Sequence, residues 1–218
     1  MLKRLLVFMT ALLPVLASWG AEPDTISVRR AFVDMPLSTL DLLSRSTRLD
    51  MLDFYDLDSI YNARNTMAGI SRLEKLEPGY LKVKLTPVTT MELKILPSGN
   101  KGAQLVLLNY TIGDSIQAKD SDLKFFDSSL NELPGDKFMK LPELSDFFDY
   151  PDKKVKEEVA RLVPFPTVEY TVVPESGDLV ARLTVGEFMS SEDFKSIKPY
   201  LKPSILYTWN GNRYRKAK

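Results

Sequence analysis

The chain has 218 residues, of which 44% are hydrophobic and 27% are charged, and its 29 basic residues are balanced by 29 acidic ones. This composition excludes a disordered chain, and the balanced charge gives no electrostatic basis for binding nucleic acid or an anionic membrane. Cysteine and histidine are both absent, which excludes disulfides, thiol and imidazole catalysis, and the usual ligand sets for zinc, copper or iron.

The first 20 residues have the features of a secretory signal peptide. Lys3 and Arg4 give a basic start, Leu5 to Ala17 is mostly apolar, and the small residues Ser18 and Gly20 suit cleavage. An uncleaved membrane anchor is the alternative, but this apolar stretch is shorter than the roughly 20 residues that span a bilayer. We therefore expect cleavage near Gly20 and a soluble product, periplasmic or secreted, without a membrane span.

Two helices are predicted next. Leucines follow Pro36 at helical spacing as far as Leu43, and a second helix is predicted from about Arg48 to Ser59. Together these segments would form an N-terminal helical hairpin.

From Ser71 onward the hydrophobic period changes to two, which indicates strands with one charged face. Apolar and charged residues alternate over 81–85 and 91–95. The nearly continuous apolar run over Leu105 to Ile112 is typical of a strand that is covered on both faces. A further strand is predicted near Leu123 to Asp127.

After a turn-rich boundary, the chain predicts a helix, two strands, a second helix and a final hairpin. Asp152 suits the cap of a helix over Lys153–Val163, and strands are predicted over Thr167–Val173 and Leu179–Val185. A serine and an aspartate resembling a capping box open the second helix, near Ser191 to Lys198.

The order of these elements predicts the fold class. Strands and helices without regular βαβ alternation indicate an α+β fold with a mainly antiparallel sheet and helices packed on one face. We expect a signal peptide over 1–20, a helical hairpin plus antiparallel sheet over 21–134, and a smaller α+β part over 135–218. The two parts could also form one continuous domain.

The C-terminal hairpin carries the residues that we predict to bind a partner. A two-residue Asn-Gly turn would pair Tyr207 with Tyr214 and Trp209 with Asn212. Tyr207, Trp209 and Tyr214 would then share one face, where flat amphipathic rings could stack on a sugar or grip a peptide. The alternative is that this face packs inside the protein.

Carboxylates are the remaining groups with reactive chemistry. They crowd two segments, which hold Asp50, Asp53, Asp56 and Asp58 in the first and Asp114, Asp120, Asp122 and Asp127 in the second. The first segment lacks the glycine and the later glutamate of an EF-hand calcium loop, so we interpret its aspartates as a solvated helix face. No phosphate-binding loop or serine-hydrolase motif accompanies them.

Three segments, Arg48 to Tyr55, Ser71 to Ile95 and Lys119 to Asp127, together resemble an uncharacterised secreted domain-of-unknown-function family of Bacteroides and relatives. The resemblance covers most of the chain that follows the signal peptide. It implies an exported α+β protein and assigns no catalytic or binding residues. It also favours the interpretation that the carboxylates between Asp120 and Asp127 cap a turn.

These observations favour an exported envelope protein that binds a protein, peptide or glycan partner without catalysis. We expect no cofactor, no metal site, no catalytic residue and no nucleic-acid partner. The alternative is a carboxylate-based, glycosidase-like hydrolase acting on polysaccharide. That activity requires a cleft that holds one shielded and one solvated acid.

Overall fold

The computed structural model describes residues 25–99, 102–114, 116 and 118–217. The predicted signal peptide and its cleavage position lie outside these residues, so export stays a prediction. In the part of the chain that is described, no helix is both long enough and apolar enough to cross a membrane.

The described residues form two antiparallel sheets and four α-helices. The larger sheet is a meander of seven strands in the order β1 to β7, and the smaller has the order β11-β10-β9-β8. The predicted α+β class with mainly antiparallel sheets is confirmed. In chain order the elements are α1 (Val28–Asp34), α2 (Arg45–Asp56), β1 (Ala63–Arg64), β2 (Ile70–Glu77), β3 (Tyr80–Thr86), β4 (Thr89–Pro97), β5 (Gln104–Ile112), β6 (Asp120–Phe126), β7 (Glu132–Leu133), α3 (Lys153–Leu162), β8 (Val168–Val172), β9 (Leu179–Leu183), α4 (Ser191–Ile197), β10 (Ile205–Trp209) and β11 (Tyr214–Lys216).

Helices α1 and α2 pack on one face of the larger sheet. Phe32 and Met51 from the helices join Leu93 and Val106 from the strands in one apolar core. A serine precedes each helix, Ser27 before α1 and Ser44 before α2, and its hydroxyl accepts a hydrogen bond from a backbone N–H of the first turn.

The helix predicted from Pro36 to Leu43 is wrong, because this segment forms turns between α1 and α2. The first helix lies earlier and ends at Asp34. Proline restricts the residue before it to extended backbone, and Met35 has φ −51° and ψ 131°. Leu40 and Leu43 are nevertheless buried, so the spacing of these leucines reflects their burial and not a helix.

The opposite face of the larger sheet shares a second core with the smaller sheet, α3 and α4. Leu107 and Phe125 from the larger sheet join Leu179 and Val159 in this second core. On β5, Val106 and Leu107 point to different cores and both are fully buried, which explains the continuous apolar run of that strand.

The predicted pairing of the C-terminal hairpin is wrong, because Tyr214 pairs with Trp209 and Lys216 pairs with Tyr207. The turn between β10 and β11 is longer than two residues. The Oδ1 atom of Asn210 accepts hydrogen bonds from the backbone N–H groups of Asn212, at 3.0 Å, and Arg213, at 2.9 Å. This side-chain turn stabilises a longer loop than the Asn-Gly pair alone would require.

Candidate functional site

The three aromatic residues predicted to bind a partner lie where the two sheets meet. Tyr207 and Tyr214 are buried, with 4% and 3% of their surface exposed, and Trp209 is half-buried. Burial raises the pKa of Tyr207 to about 12 and that of Tyr214 further. The Nε1 of Trp209 donates to the carbonyl of Pro97 at 2.7 Å. The Tyr214 hydroxyl donates to the carbonyl of Gly177 at 2.6 Å. These contacts give the rings a packing role, and ligand binding by these residues stays a prediction.

A polar cleft of about 420 Å³ lies between β8 and the charged part of the larger sheet. A carboxylate-based hydrolase requires such a cleft, with two acids in contrasting environments. Its wall includes the carboxylates Glu74, Glu92, Asp114 and Glu169, of which Glu74 is exposed. Glu92 is 6% exposed and accepts hydrogen bonds from the Tyr80 hydroxyl at 2.6 Å and from the Asn109 amide at 2.8 Å. Its acceptor positions are therefore used within the protein.

The second acid, Glu169, is held by two cations. Its carboxylate accepts hydrogen bonds from Lys119 and Arg182, each at 2.8 Å. Burial alone would raise the pKa of Glu169, but the hydrogen bonds from these two residues outweigh burial and lower the pKa. A glycosidase acid must instead have a raised pKa so that it can donate a proton near neutral pH. The arrangement favours a structural role for both acids.

The lowered pKa of Glu169 makes stability depend on pH in a defined direction. Its contribution is present above the pKa of the unfolded chain and is lost as pH falls through the folded-state pKa. We expect Glu169→Gln to cost about 1 kcal/mol near neutral pH, and to reduce the loss of stability on acidification from about pH 6 to about pH 3. Urea unfolding over a pH series measures both effects.

Glu132→Gln is the control for that prediction, because the Glu132 side chain is 54% exposed and its ion pair with Lys124 is long at 3.5 Å. Such a surface pair contributes little, so the control should follow the wild-type pH profile. If the stability of Glu169→Gln and that of the wild type fell in parallel with pH, the stabilising role of the contacts of Glu169 with Lys119 and Arg182 would be contradicted.

A different part of the molecule exposes a group of large apolar side chains. We define the apolar surface as Phe54, Tyr55, Leu57, Ile60 and Tyr61, which lie at and just after the end of α2. Leu57 and Ile60 are 72% and 78% exposed, and Phe54 and Tyr55 are exposed by 41% and 37%. Neighbouring exposed apolar side chains of this size often mark a site of protein interaction.

The local backbone explains how this surface is built. Helix α2 ends at Asp56, and Asp58 takes a positive φ of 51°, a conformation that aspartate tolerates better than most residues. The N–H of Ser59 then donates to the carbonyl of Phe54 at 2.9 Å, which turns the chain back along the helix. As a result, the rings of Phe54 and Tyr61 stack with centroids 4.5 Å apart and an interplanar angle of 9°.

A shallow cavity of about 230 Å³ opens beside the stacked rings. Its wall combines apolar side chains, including Met51, Tyr55 and Leu73, with the guanidinium of Arg72. The side chain of Arg72 is oriented by hydrogen bonds to Asn62 Oδ1 at 2.9 and 3.2 Å. The apolar surface therefore has both protruding side chains and a recess.

Four aspartates lie in the same segment of the chain as the apolar surface, namely Asp50, Asp53, Asp56 and Asp58, and all four are exposed, as predicted. Asp56 pairs with Arg29 at 2.6 Å, and the other three make no ion pair with any described residue. Among the described residues, no group of acidic side chains could hold a metal ion. The rim formed by these aspartates has three carboxylates without an ion pair to a described residue, against one such cation, Arg72, in the recess, so the net charge offered to a partner is negative.

Sequence reasoning identified this acidic cluster and missed the apolar residues between its members. On a helix, Asp50 and Phe54 are four residues apart, as are Asp53 and Leu57, so each pair lies side by side. The available signal was that Phe54 and Leu57 fall outside the inner stripe formed by Met51 and its neighbours. Several apolar residues grouped on the charged face of a helix are a signal of a binding surface.

Comparison with known proteins identifies a family and a fold. The family described as "Protein of unknown function (DUF3256)" matches residues 23–214, which confirms the predicted resemblance to an uncharacterised family. The chain is also similar to a solved domain of an uncharacterized protein from Porphyromonas gingivalis W83. The two are 21% identical with a TM-score of 0.72, over 86% of this chain and 98% of the other, and at this identity the likeness shows the fold alone. No match was found among curated proteins.

Proposed function

Because the chain belongs to the DUF3256 family, whose description assigns no function, we propose its function from the site itself: non-catalytic binding of a protein partner. The binding site is the apolar surface, and the partner presents a segment with apolar side chains flanked by lysine or arginine. The observation that carries this proposal is the exposure of Leu57 and Ile60 beside the stacked rings of Phe54 and Tyr61. The predicted signal peptide supports an exported protein of the cell envelope as the setting.

The energetics of the apolar surface favour association. Burying a large apolar side chain contributes about 1.5 to 3 kcal/mol, and the most exposed residues here retain most of that area for a partner. Aromatic residues are enriched at the centres of protein interfaces, where a few side chains supply most of the binding energy. Phe54 and Tyr61 are already ordered by stacking on each other, so little conformational entropy is lost when they are covered.

The chemistry of the surface favours a protein segment over a glycan. A sugar ring stacks on an aromatic face, but Phe54 and Tyr61 each use one face on the other, and Tyr61 also packs against the core. Leu57 and Ile60 offer aliphatic area that suits leucine-like side chains. The unpaired carboxylates of the rim favour a basic partner and would repel an acidic one.

A designed peptide tests this function directly. The probe is an amphipathic peptide of about 15 residues with leucines on one face and lysines on the other, and a matched peptide carries glutamate in place of lysine. Fluorescence anisotropy should show saturable, micromolar binding of the lysine peptide and at least about tenfold weaker binding of the glutamate peptide. The double variant Leu57→Ser/Ile60→Ser should bind the lysine peptide at least about tenfold more weakly than the wild type.

The matched control is Phe165→Ser/Phe188→Ser, which removes two exposed side chains, 77% and 54% accessible, from other parts of the surface. It should bind the lysine peptide like the wild type. Equal binding by the wild type and the Leu57→Ser/Ile60→Ser variant would contradict the proposal, as would an equal loss in the control.

A further inference from the structure

A second concave site lies on the face of the larger sheet that points away from α1 and α2. It is a pocket of about 450 Å³ between β6, the turn that follows β7, and the loop between β10 and β11. Its apolar wall is formed by Leu123, Phe125, Met139 and Leu141. This volume lies within the range of small-molecule sites in proteins.

The floor of the pocket is apolar and closely packed. Phe125 and Met139 are 1% and 3% exposed, and the Phe125 ring stacks on that of Phe138 with centroids 4.9 Å apart. Leu141, by contrast, is 60% exposed and forms an apolar rim. An alkyl chain entering here would meet preformed hydrocarbon walls, so binding would require little rearrangement.

One cation stands at the mouth of this pocket without a counter-ion. Arg213 is half-buried, and its guanidinium makes no hydrogen bond or ion pair with any described residue. The hydrogen bond from the N–H of Tyr214 to the carbonyl of Phe138, at 2.7 Å, ties the Arg213 loop to the pocket wall. A planar guanidinium held beside apolar surface is suited to bidentate pairing with a carboxylate.

The other charged residues around the pocket do not cancel the preference of Arg213 for an anion. Lys140 adds a second cation, whose ion pair with Glu143 is long, at 3.3 Å, and highly exposed. Asp136 contributes one carboxylate, which is exposed and does not pair with Arg213. Two cations and one anion therefore surround an apolar recess.

We propose that this pocket binds a small amphiphilic carboxylate, such as a medium-chain fatty acid. The alkyl chain would lie on Leu123, Phe125 and Met139, and the carboxylate would pair with Arg213. This site is separate from the apolar surface at the end of α2 and does not depend on the protein-binding function proposed there.

The test is a titration of the protein, labelled with ¹³C in its methionine methyl groups, with decanoate below its micelle concentration. The Met139 signal should shift in a saturable manner, and the signal of Met67, which lies in the turn between β1 and β2, should not. Arg213→Gln should weaken decanoate binding by about tenfold, because it removes a charge-assisted pair. Arg215→Gln is the matched control, since it removes an exposed charge from the same hairpin, and it should leave binding unchanged.

Two further measurements separate carboxylate recognition from a general affinity for alkyl chains. Decan-1-ol should bind at least about tenfold more weakly than decanoate. Gly135→Val should reduce the binding of both ligands, because a Cβ at Gly135 meets Phe125 at an ordinary 3.8 Å and its side chain would occupy the pocket. The proposal is overturned by the absence of a saturable Met139 shift, by equal shifts of all methionines, by equal affinities for decanoate and decan-1-ol, or by equal effects of Arg213→Gln and Arg215→Gln.

Discussion

Replacing Glu92 by alanine is expected to lower the free energy of unfolding by about 3 to 5 kcal/mol. The Glu92 carboxylate accepts hydrogen bonds from Tyr80 and Asn109 of the larger sheet and, at 3.4 Å, from the backbone N–H of Val172 of the smaller sheet. Its removal would leave three buried donors without their acceptor, and each unsatisfied donor costs about 1 to 3 kcal/mol before relaxation. Urea unfolding of the wild type and variant measures the difference.

Glu74→Ala is the matched control for Glu92→Ala, because its side chain is 39% exposed and its ion pair with Lys82 is 3.5 Å long. We expect this control to change the free energy of unfolding by less than about 1 kcal/mol. A cost below about 1 kcal/mol for Glu92→Ala would contradict the view that this carboxylate joins the two sheets.

The contacts of Glu92 belong to a larger pattern along the edge strand β8. Side chains of the larger sheet accept hydrogen bonds from the N–H groups of Val168, Tyr170 and Val172. The amide of Asn109 also donates to the carbonyl of Tyr170 at 2.7 Å. Because these edge groups are already bonded, β8 is not open to pairing with a strand from another chain.

Replacing Arg48 by methionine should destabilise the protein by about 3 kcal/mol, because two buried carbonyls lose their donor. Arg48 lies on α2, is 1% exposed, and its Nη1 donates to the carbonyls of Phe32 and Met35 at 2.8 and 2.7 Å. The carbonyls at the end of α1 have no partner within that helix, so Arg48 satisfies them and holds α2 in place. Burial lowers the pKa of Arg48, which reflects the cost of placing this charge in the core.

Arg45→Met provides the comparison, because the Arg45 side chain is 61% exposed and pairs at the surface with Asp34. This change should cost less than about 1 kcal/mol in urea unfolding. If Arg48→Met cost no more than Arg45→Met, the role of the buried guanidinium in joining α1 to α2 would be refuted.

Much of the fold could be predicted from the sequence because its local signals agree with its tertiary contacts. The strands over 81–85 and 91–95 follow a period of two since one side of each faces the helices. Helix caps also depend only on nearby residues. The Asp152 carboxylate accepts a hydrogen bond from the N–H of Val155 at 2.9 Å, as its position in the sequence predicted. Helix α1 was missed because it has only seven residues, and the leucines after Pro36 gave a stronger helical pattern.

The environment of the hairpin aromatics depends on contacts that no local pattern reports. Tyr214 is covered by Phe125, and Trp209 is held by Pro97, which lies 112 residues away in the chain. Alternation places Tyr207, Trp209 and Tyr214 on one face but does not say what covers that face. Conversely, the apolar surface was overlooked because an apolar residue in a short helix is usually read as part of the core.

The most direct test of the protein-binding function is to locate the bound probe on the molecule. The lysine peptide is labelled with a nitroxide at one end, and the broadening of backbone amide signals is recorded in the ¹⁵N-labelled protein. We predict the strongest broadening at residues 54–61, its loss in Leu57→Ser/Ile60→Ser, and no effect at the pocket beside Arg213. Strongest broadening at any other part of the surface, unchanged in that double variant, would contradict the function proposed for this protein.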